Sequence, residues 1–375
     1  MPLASQNSQP RSISYTGPFL HDKKKDYFCI VDIGASGGFN DLWTPIAPYS
    51  SFIGFEPDRA ECERLNKKYQ EQGNALTYQL YPIGLGATAG TQTLHISNTS
   101  PVSDGLMPIN EDFWKRFPNY AEVKTVGTTT IETETLHAFV AKNKVDHIDF
   151  LKIDVEGAEY PILKASRNVL SEQKVLGILT EYIWEPDVKK GQAGLGEMDA
   201  FFRDEGFFMF DLECWRFPRN PMPLGHLISE TQPDGSESVT EPKRYHTYGQ
   251  IIGGNALYFR DPIKSAQNGT NEIEWTEAMV LKFVTLLDLY NYQDYAIEIV
   301  DYFRDIIVSA DPDALIDSLT PQLGNALVPY DKYFQLSASL YKQGLHPRLR
   351  PGTIIPKPRY VPATERDANR AQKKA

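Results

Sequence analysis

Two hydrophobic periods divide the chain. Up to about residue 260, apolar runs of strand length alternate with amphipathic stretches of helix length, an order that predicts an α/β sheet. The runs fall at residues 27–31, 51–55, 76–83, 148–153, 175–180, 207–212 and 255–260. An alternating segment at 123–130 adds a strand, and 91–96 reads as a hairpin-like piece before it. Helices are expected over 39–47, 59–72, 132–143, 158–170 and 197–205. Residues 213–254, rich in Pro, Gly, Trp, Tyr and His, are too long for an ordinary connection and read as a functional or mobile segment. Beyond residue 271 the period becomes helical throughout, predicting helices at 274–290, 292–309, 312–319 and 328–343. The expected organisation is therefore a polar lead-in over 1–25, an α/β domain over 26–262, a helical extension over 272–345 and a poorly ordered tail over 346–375.

Composition narrows the class. The 41% hydrophobic and 23% charged fractions suit a water-soluble globular protein, and no run of about 18 apolar residues offers a membrane span. The polar N-terminal stretch lacks the apolar core of a secretory signal. Cys29, Cys62 and Cys214 form no metal-spaced pair, so a reduced, cytoplasmic setting is expected. A net charge of −11 argues against nucleic acid as a partner. From residue 346 onward, eight Lys/Arg against two Asp/Glu give +6, leaving −17 on the first 345 residues. That tail reads either as an arm for a protein partner or as a solvated segment lying on an acidic body; the helical extension is a second candidate surface for a partner.

Candidate chemistry gathers at four strand ends. The first strand runs into Asp32-Ile-Gly-Ala-Ser-Gly-Gly38, a turn in which Gly34 and Gly38 let backbone approach a ligand. The second ends in Glu56-Pro57, 22 residues beyond Gly34, where a carboxylate can accept both hydroxyls of a ribose. The fourth ends in Asp154 and Glu156 before Gly157, and the fifth in Glu181. Acids at the carboxyl ends of parallel strands lie where open α/β sheets bind ligands. For Asp154 taken alone, capping the next helix explains it about as well as chemistry does.

Asp32 to Gly38, Gly54-Phe-Glu-Pro57 and Phe150-Leu-Lys-Ile-Asp-Val-Glu-Gly157 together resemble the FkbM family of S-adenosylmethionine-dependent methyltransferases, across roughly residues 27–260. The Lys-Ile-Asp-Val-Glu-Gly string carries most of that resemblance. Ser36 stands where such families usually have Asn or Gly, and can still offer backbone and hydroxyl. The resemblance implies a doubly wound, seven-stranded Rossmann-like sheet of the class I methyltransferase kind, with one antiparallel strand near its end and the all-α extension outside it. It implies S-adenosyl-L-methionine as cofactor, with Asp32, Gly34, Ala35, Ser36 and Gly38 at the methionine part and Glu56 and Pro57 at the ribose. Ile83, Gly84, Ser103 and Asp104 are implied at the adenine, and Asp154 at the transferred methyl.

For an alcohol acceptor a base is required, and Asp154, then Glu181, then Glu156 are the candidates. Glu156 has a second reading as a first-turn acid that stabilises the helix macrodipole. Converging acids could hold a divalent metal, but no histidine-containing ligand cluster supports one and none is expected. Tyr182, Trp184 and Trp215 read either as core or as an apolar wall for the acceptor, and His246 and Tyr248 as solvated loop residues or acceptor contacts. Lys152 is expected to form an ion pair under the sheet. The expected activity is O-methylation of a hydroxyl on a sugar, glycan or secondary metabolite. A nicotinamide-dependent oxidoreductase and a non-catalytic scaffold are the competing readings.

Overall fold

The computed structural model describes residues 10–22, 26–100, 103–184, 186–187, 191–221, 228–240, 249–269, 273–322 and 327–342. The tail from residue 346 and the loop holding His246 and Tyr248 lie outside them. Two compact units divide the described residues, one within 27–273, the other built from 10–22 and residues from 274 to 342. Helix α1 (Ile13–Asp22) belongs to the second unit.

The first unit is an α/β domain. Its strands are β1 (Phe28–Ile33), β2 (Ser50–Phe55), β3 (Thr77–Tyr81), β4 (Gly84–Leu85), β5 (Gly90–Ser97), β6 (Thr125–Glu134), β7 (Phe150–Ile153), β8 (Gly177–Ile183), β9 (Phe207–Leu212), β10 (Trp215–Phe217), β11 (Ile228–Thr231), β12 (Glu237–Thr240) and β13 (Gln250–Arg260). The main sheet runs β3-β2-β1-β7-β8 in parallel and is closed by β13, antiparallel to β8. Both β9 and β10 pair with β13, at successive stretches of the same strand. They occupy one edge position interrupted at Glu213 and Cys214, so the expected seven positions with one antiparallel strand are present. Every residue of β1 is buried, as a central strand covered on both faces requires.

Register sets where the parallel strands end. Ile33 pairs with Phe55 and with Ile153, and Ile153 pairs with Thr180. Gly34, Glu56, Asp154 and Glu181 are each the next residue in sequence, so one row of backbone delivers all four to the same edge of the sheet.

Several expected boundaries shift for local reasons. Residues 41–49 form a 3₁₀ helix and not an α-helix, because Pro45 and Pro48 remove amide donors from the segment. Residues 132–134, expected to begin a helix, are the end of β6; α4 starts at Leu136 behind the cap Thr135, whose hydroxyl accepts from the Ala138 amide. The hairpin β5–β6, joined by β4, forms a three-stranded sheet of its own. Helix α2 (Arg59–Gln72) has the expected limits because Asp58 caps it through the Ala60 and Glu61 amides and Gly73 ends it in the left-handed region. The remaining helices of the unit are α3 (Glu111–Trp114), α4 (Leu136–Asn143), α5 (Glu159–Ala165), α6 (Arg167–Glu172), α7 (Leu195–Asp204) and α8 (Pro262–Asn268). The segment 213–254, read from sequence as one long connection, holds β10 and the β11–β12 hairpin before β13 begins at Gln250.

The second unit is all-α, with α9 (Glu277–Leu289), α10 (Gln293–Tyr302), α11 (Pro312–Leu319) and α12 (Tyr330–Lys342) joining α1. The polar lead-in expected over residues 1–25 therefore supplies a helix to this unit. Helix α9 is buried from Ala278 to Leu289, polar Thr285 and Asp288 included. Asp288 Oδ2 accepts from the Ser12 amide at 3.0 Å and from the Ser12 hydroxyl at 2.9 Å, and Thr16 and Thr285 hydroxyls meet at 2.7 Å. Among the described residues no helix is long and apolar enough to cross a membrane.

Replacing Asp288 by Ala strands the buried Ser12 donors. It should cost about 1–3 kcal/mol and expose the amides of α1 to hydrogen exchange; unchanged protection there would show that this contact does not hold α1.

Candidate functional site

A cavity of about 590 Å³ opens at the strand-end row and is lined by Gly34, Ser36, Glu56, Pro57, Gly84, Asp104, Asp154 and Glu156 among others. Eight of the residues singled out from sequence thus share one space. Ala35 is buried in a small cluster with Cys62, Leu65, Tyr69 and Leu80, and Gly38 lies against Tyr69, so these two shape the turn from behind. Ile83 packs on the main core, and Ser103 bonds backward to Ser100. Neither lines the cavity.

The glycine turn is forced. Gly34 has φ +83°, and a Cβ there would lie 1.9 Å from the carbonyl oxygen of Asp154. The Gly34 and Ala35 amides both donate to the Phe55 carbonyl, at 3.2 and 2.9 Å, which brings the turn against the end of β2. Glu56, one residue on, is 6% exposed and accepts from the Asp58 amide at 2.7 Å, with Ser36 also bonding its side chain. Burial raises its carboxyl above the ordinary range, partly offset by the Asp58 amide.

Asp154 and Glu156 flank a strained turn. Glu156 has φ +58° and Gly157 +99°, and buried Glu159 holds the loop by accepting from the Val155 and Gly157 amides at 2.8 and 3.2 Å. Glu159 is the first-turn acid of α5; Glu156 precedes the helix and faces the cavity, so the macrodipole reading of Glu156 does not hold. Gly105, whose loop bridges to β5 through reciprocal bonds with His95, packs on the same turn: a Cβ there would meet Glu156 Cβ at 2.9 Å.

Glu181 lies behind this pair, 9% exposed, with its carboxyl beside that of Asp154. Burial first, then Asp154, Glu156 and Glu159, push Glu181 well above the ordinary range. Burial and Asp154 likewise raise Glu156. Asp154, Glu156 and Glu181 can each place one oxygen within 4.8 Å of the others, a spacing that would admit a cation. No histidine or cysteine joins that group among the described residues.

Lys152 is nearer the chemistry than the sequence suggested. Its ammonium lies 3.1 Å from Asp32 Oδ1 and 3.6 Å from Asp154 Oδ2, and donates to the Gly34 carbonyl at 2.8 Å. Burial raises Asp32 to about 6 even with Lys152 beside it, yet Lys152 stays above its own ordinary value. The ammonium answers to two carboxylates, whereas Asp32 has one ammonium. Asp32 itself does not line the cavity; it is the buried anchor of this group. The sign that could have marked Lys152 was a single cation inside an apolar central strand.

The aromatic wall suggested for the acceptor is not assembled. Tyr182 is 1% exposed and donates to the Glu213 carbonyl, Trp215 packs against Phe113, Phe117 and Ile252, and Trp184 is 49% exposed.

Residues 32–209 match the family model described as "Methyltransferase FkbM domain". A curated protein, "Methyltransferase sdnD" from Sordaria araneosa, is 27% identical over 195 residues, covering 48% of this chain and 73% of that protein. Among solved structures, the magnesium protoporphyrin IX methyltransferase ChlM of Synechocystis, solved with bound SAM, covers 68% of this chain and 79% of its own at 12% identity and a TM-score of 0.29. Precorrin-6y C5,15-methyltransferase from Geobacter metallireducens covers 66% and 87% at 11% identity and the same TM-score, 0.29.

A buried carboxyl held protonated stabilises the fold below the unfolded range near about 4.3, and that contribution is lost as pH rises through its higher native value. Glu181→Gln, neutral at every pH, should therefore gain stability relative to wild type between pH 5 and pH 9, by ~1.4 kcal/mol for each unit by which the native value is raised. Urea unfolding at the two pH values measures this; a difference independent of pH would show that Glu181 titrates normally.

Proposed function

Residues 32–209 form a methyltransferase FkbM domain, and from that premise we propose that the protein transfers the methyl group of S-adenosylmethionine to a hydroxyl of a sugar or secondary metabolite. The observation that carries the reading is the single cavity in which the glycine turn, Glu56 and the pair Asp154 and Glu156 meet.

The residues present suit that cofactor. Gly34 and Ser36 offer a close backbone approach for its methionine part, Glu56 a buried carboxylate for two ribose hydroxyls, and Gly84 with Asp104 a wall for the base. When bound, it supplies an electrophilic methyl on a sulfonium whose positive charge is lost in the transfer. The protein's work is to hold the acceptor oxygen in line and receive its proton. Asp154 and Glu156 both face the cavity, and we assign them that task. Burial raises the Glu156 carboxyl to about 8, into the range suited to taking a proton near neutral pH. Glu181, buried beside Asp154, orients the Asp154 carboxylate from behind. The presence of acids at the acceptor position favours oxygen, since a hydroxyl must be deprotonated to react.

A nicotinamide-dependent oxidoreductase would use the glycine turn and Glu56 equally well, but it leaves Asp154 and Glu156 without a task. Calorimetry separates the two: S-adenosylmethionine should bind and NAD should not, and the reverse result would overturn the proposal. Labelled-methyl transfer to a panel of sugars and hydroxylated metabolites then identifies the acceptor.

Glu56→Gln keeps an acceptor for the Asp58 amide while losing the second carboxylate oxygen. Cofactor affinity should fall about ten- to a hundredfold with the fold unchanged; wild-type affinity would remove Glu56 from the ribose. Asp154→Asn should lower turnover on the acceptor so identified by about a hundredfold or more while cofactor affinity stays within a few fold, and full turnover would remove Asp154 from the reaction.

A further inference from the structure

Between the glycine turn and Asp154 stands one donor-only side chain. Lys152 lies directly opposite Asp32 in the β1–β7 register, and Asp154, two residues further along the chain, shares its face of the strand. The groups around its ammonium are all acceptors: the Gly34 carbonyl at 2.8 Å, Asp32 Oδ1 at 3.1 Å and Asp154 Oδ2 at 3.6 Å. Three such groups brought together repel one another. An ammonium with three N–H donors at a single point turns that repulsion into attraction.

The backbone shows what the contact controls. The peptide joining Gly34 to Ala35 is gripped from both sides, its N–H by the Phe55 carbonyl at 2.9 Å and its carbonyl by Lys152 at 2.8 Å. Gly34 already touches the Asp154 backbone, since no Cβ fits between them. That contact sets the distance between turn and strand end; the ammonium sets how the peptide and the carboxylate are turned.

We propose that Lys152 is a positioning residue of the transfer site, holding the cofactor turn through the Gly34 carbonyl and the acceptor-facing acid through Asp154, so that cofactor seating and acid orientation depend on one group. The inference rests on the methyltransferase reading above and adds the residue that joins its two halves. A substitution that keeps the charge but not the point geometry does not restore it in full. Guanidinium N–H groups lie in one plane and cannot converge on three acceptors around one atom.

The test measures S-adenosylhomocysteine binding by calorimetry for wild type, Lys152→Gln, Lys152→Arg, Asp32→Asn and the double variant Lys152→Gln/Asp32→Asn, with melting temperature recorded for each. We expect Lys152→Gln to bind on the order of tenfold more weakly, Lys152→Arg to fall between it and wild type, and the Lys152 and Asp32 effects to be non-additive. Wild-type affinity in Lys152→Gln overturns the inference. So do additive effects, or equal losses in the Gln and Arg variants that follow their melting temperatures, because those outcomes describe packing alone. If Lys152→Gln does not fold, Lys152→Arg decides: weaker binding at an unchanged melting temperature supports the inference, and wild-type binding overturns it. Wild-type protein that binds no S-adenosylhomocysteine overturns the cofactor reading and this inference together, which separates that failure from the others.

Discussion

The parallel register of β2, β1, β7 and β8 is the constraint on which the site depends. Those strands are buried on both faces, so their interiors carry apolar side chains and tolerate few charges. Just beyond the aligned row stand Gly34, Glu56 and Asp154, where β1, β2 and β7 stop, and Glu181, still within β8. A slip of one residue in any strand would reverse its faces and misplace its acid. Apolar burial in the strands therefore fixes the relative positions of groups that are separated in sequence by up to 147 residues.

Concentrating carboxyls at one edge has a cost, and the structure meets it in three ways. Glu159 and Glu56 are held by backbone amides. Asp32 and Asp154 face Lys152. Glu181, buried among the other acids, is raised well above the ordinary carboxyl range. Each remedy leaves a different chemical group: a carboxyl bonded to amides, an ion pair, a carboxyl raised by its neighbours. The edge thus holds acids of unlike character within a few ångströms, the condition under which one group can take a proton while its neighbours orient it.

The helical unit follows a separate logic. Helix α9 is apolar around most of its circumference and buried accordingly, and its Asp288 and Thr285 are matched by Ser12 and Thr16. Ser12, Thr16, Phe19 and Leu20 are therefore part of a core, although the stretch around them is polar.

The strands of the main sheet other than β10, and the acids Glu56, Asp154 and Glu181 near their ends, were legible in the sequence, because buried parallel strands impose continuous apolar runs and Gly and Pro mark where those runs stop. The motif around Asp154 was legible for the same reason, since a charge at the end of such a run stands out. Long-range partnership was not legible. Lys152 could be seen as a lone cation but not as the neighbour of Gly34 and Asp154, because that depends on how β1 pairs with β7 across more than a hundred residues. Residues 132–134 looked helical until pairing with β5 drew them into a strand. Tyr182 read equally as core or as a binding-site aromatic, and only the fold decided it, with its hydroxyl donating to the Glu213 carbonyl inside the core. The opening helix looked like a lead-in until its serine and threonine met α9. What the sequence alone determined about this protein are its local runs and the chemistry at their ends; which of those ends meet, and which charge each acid keeps, were decided by strand register and burial, which exist only in the folded chain.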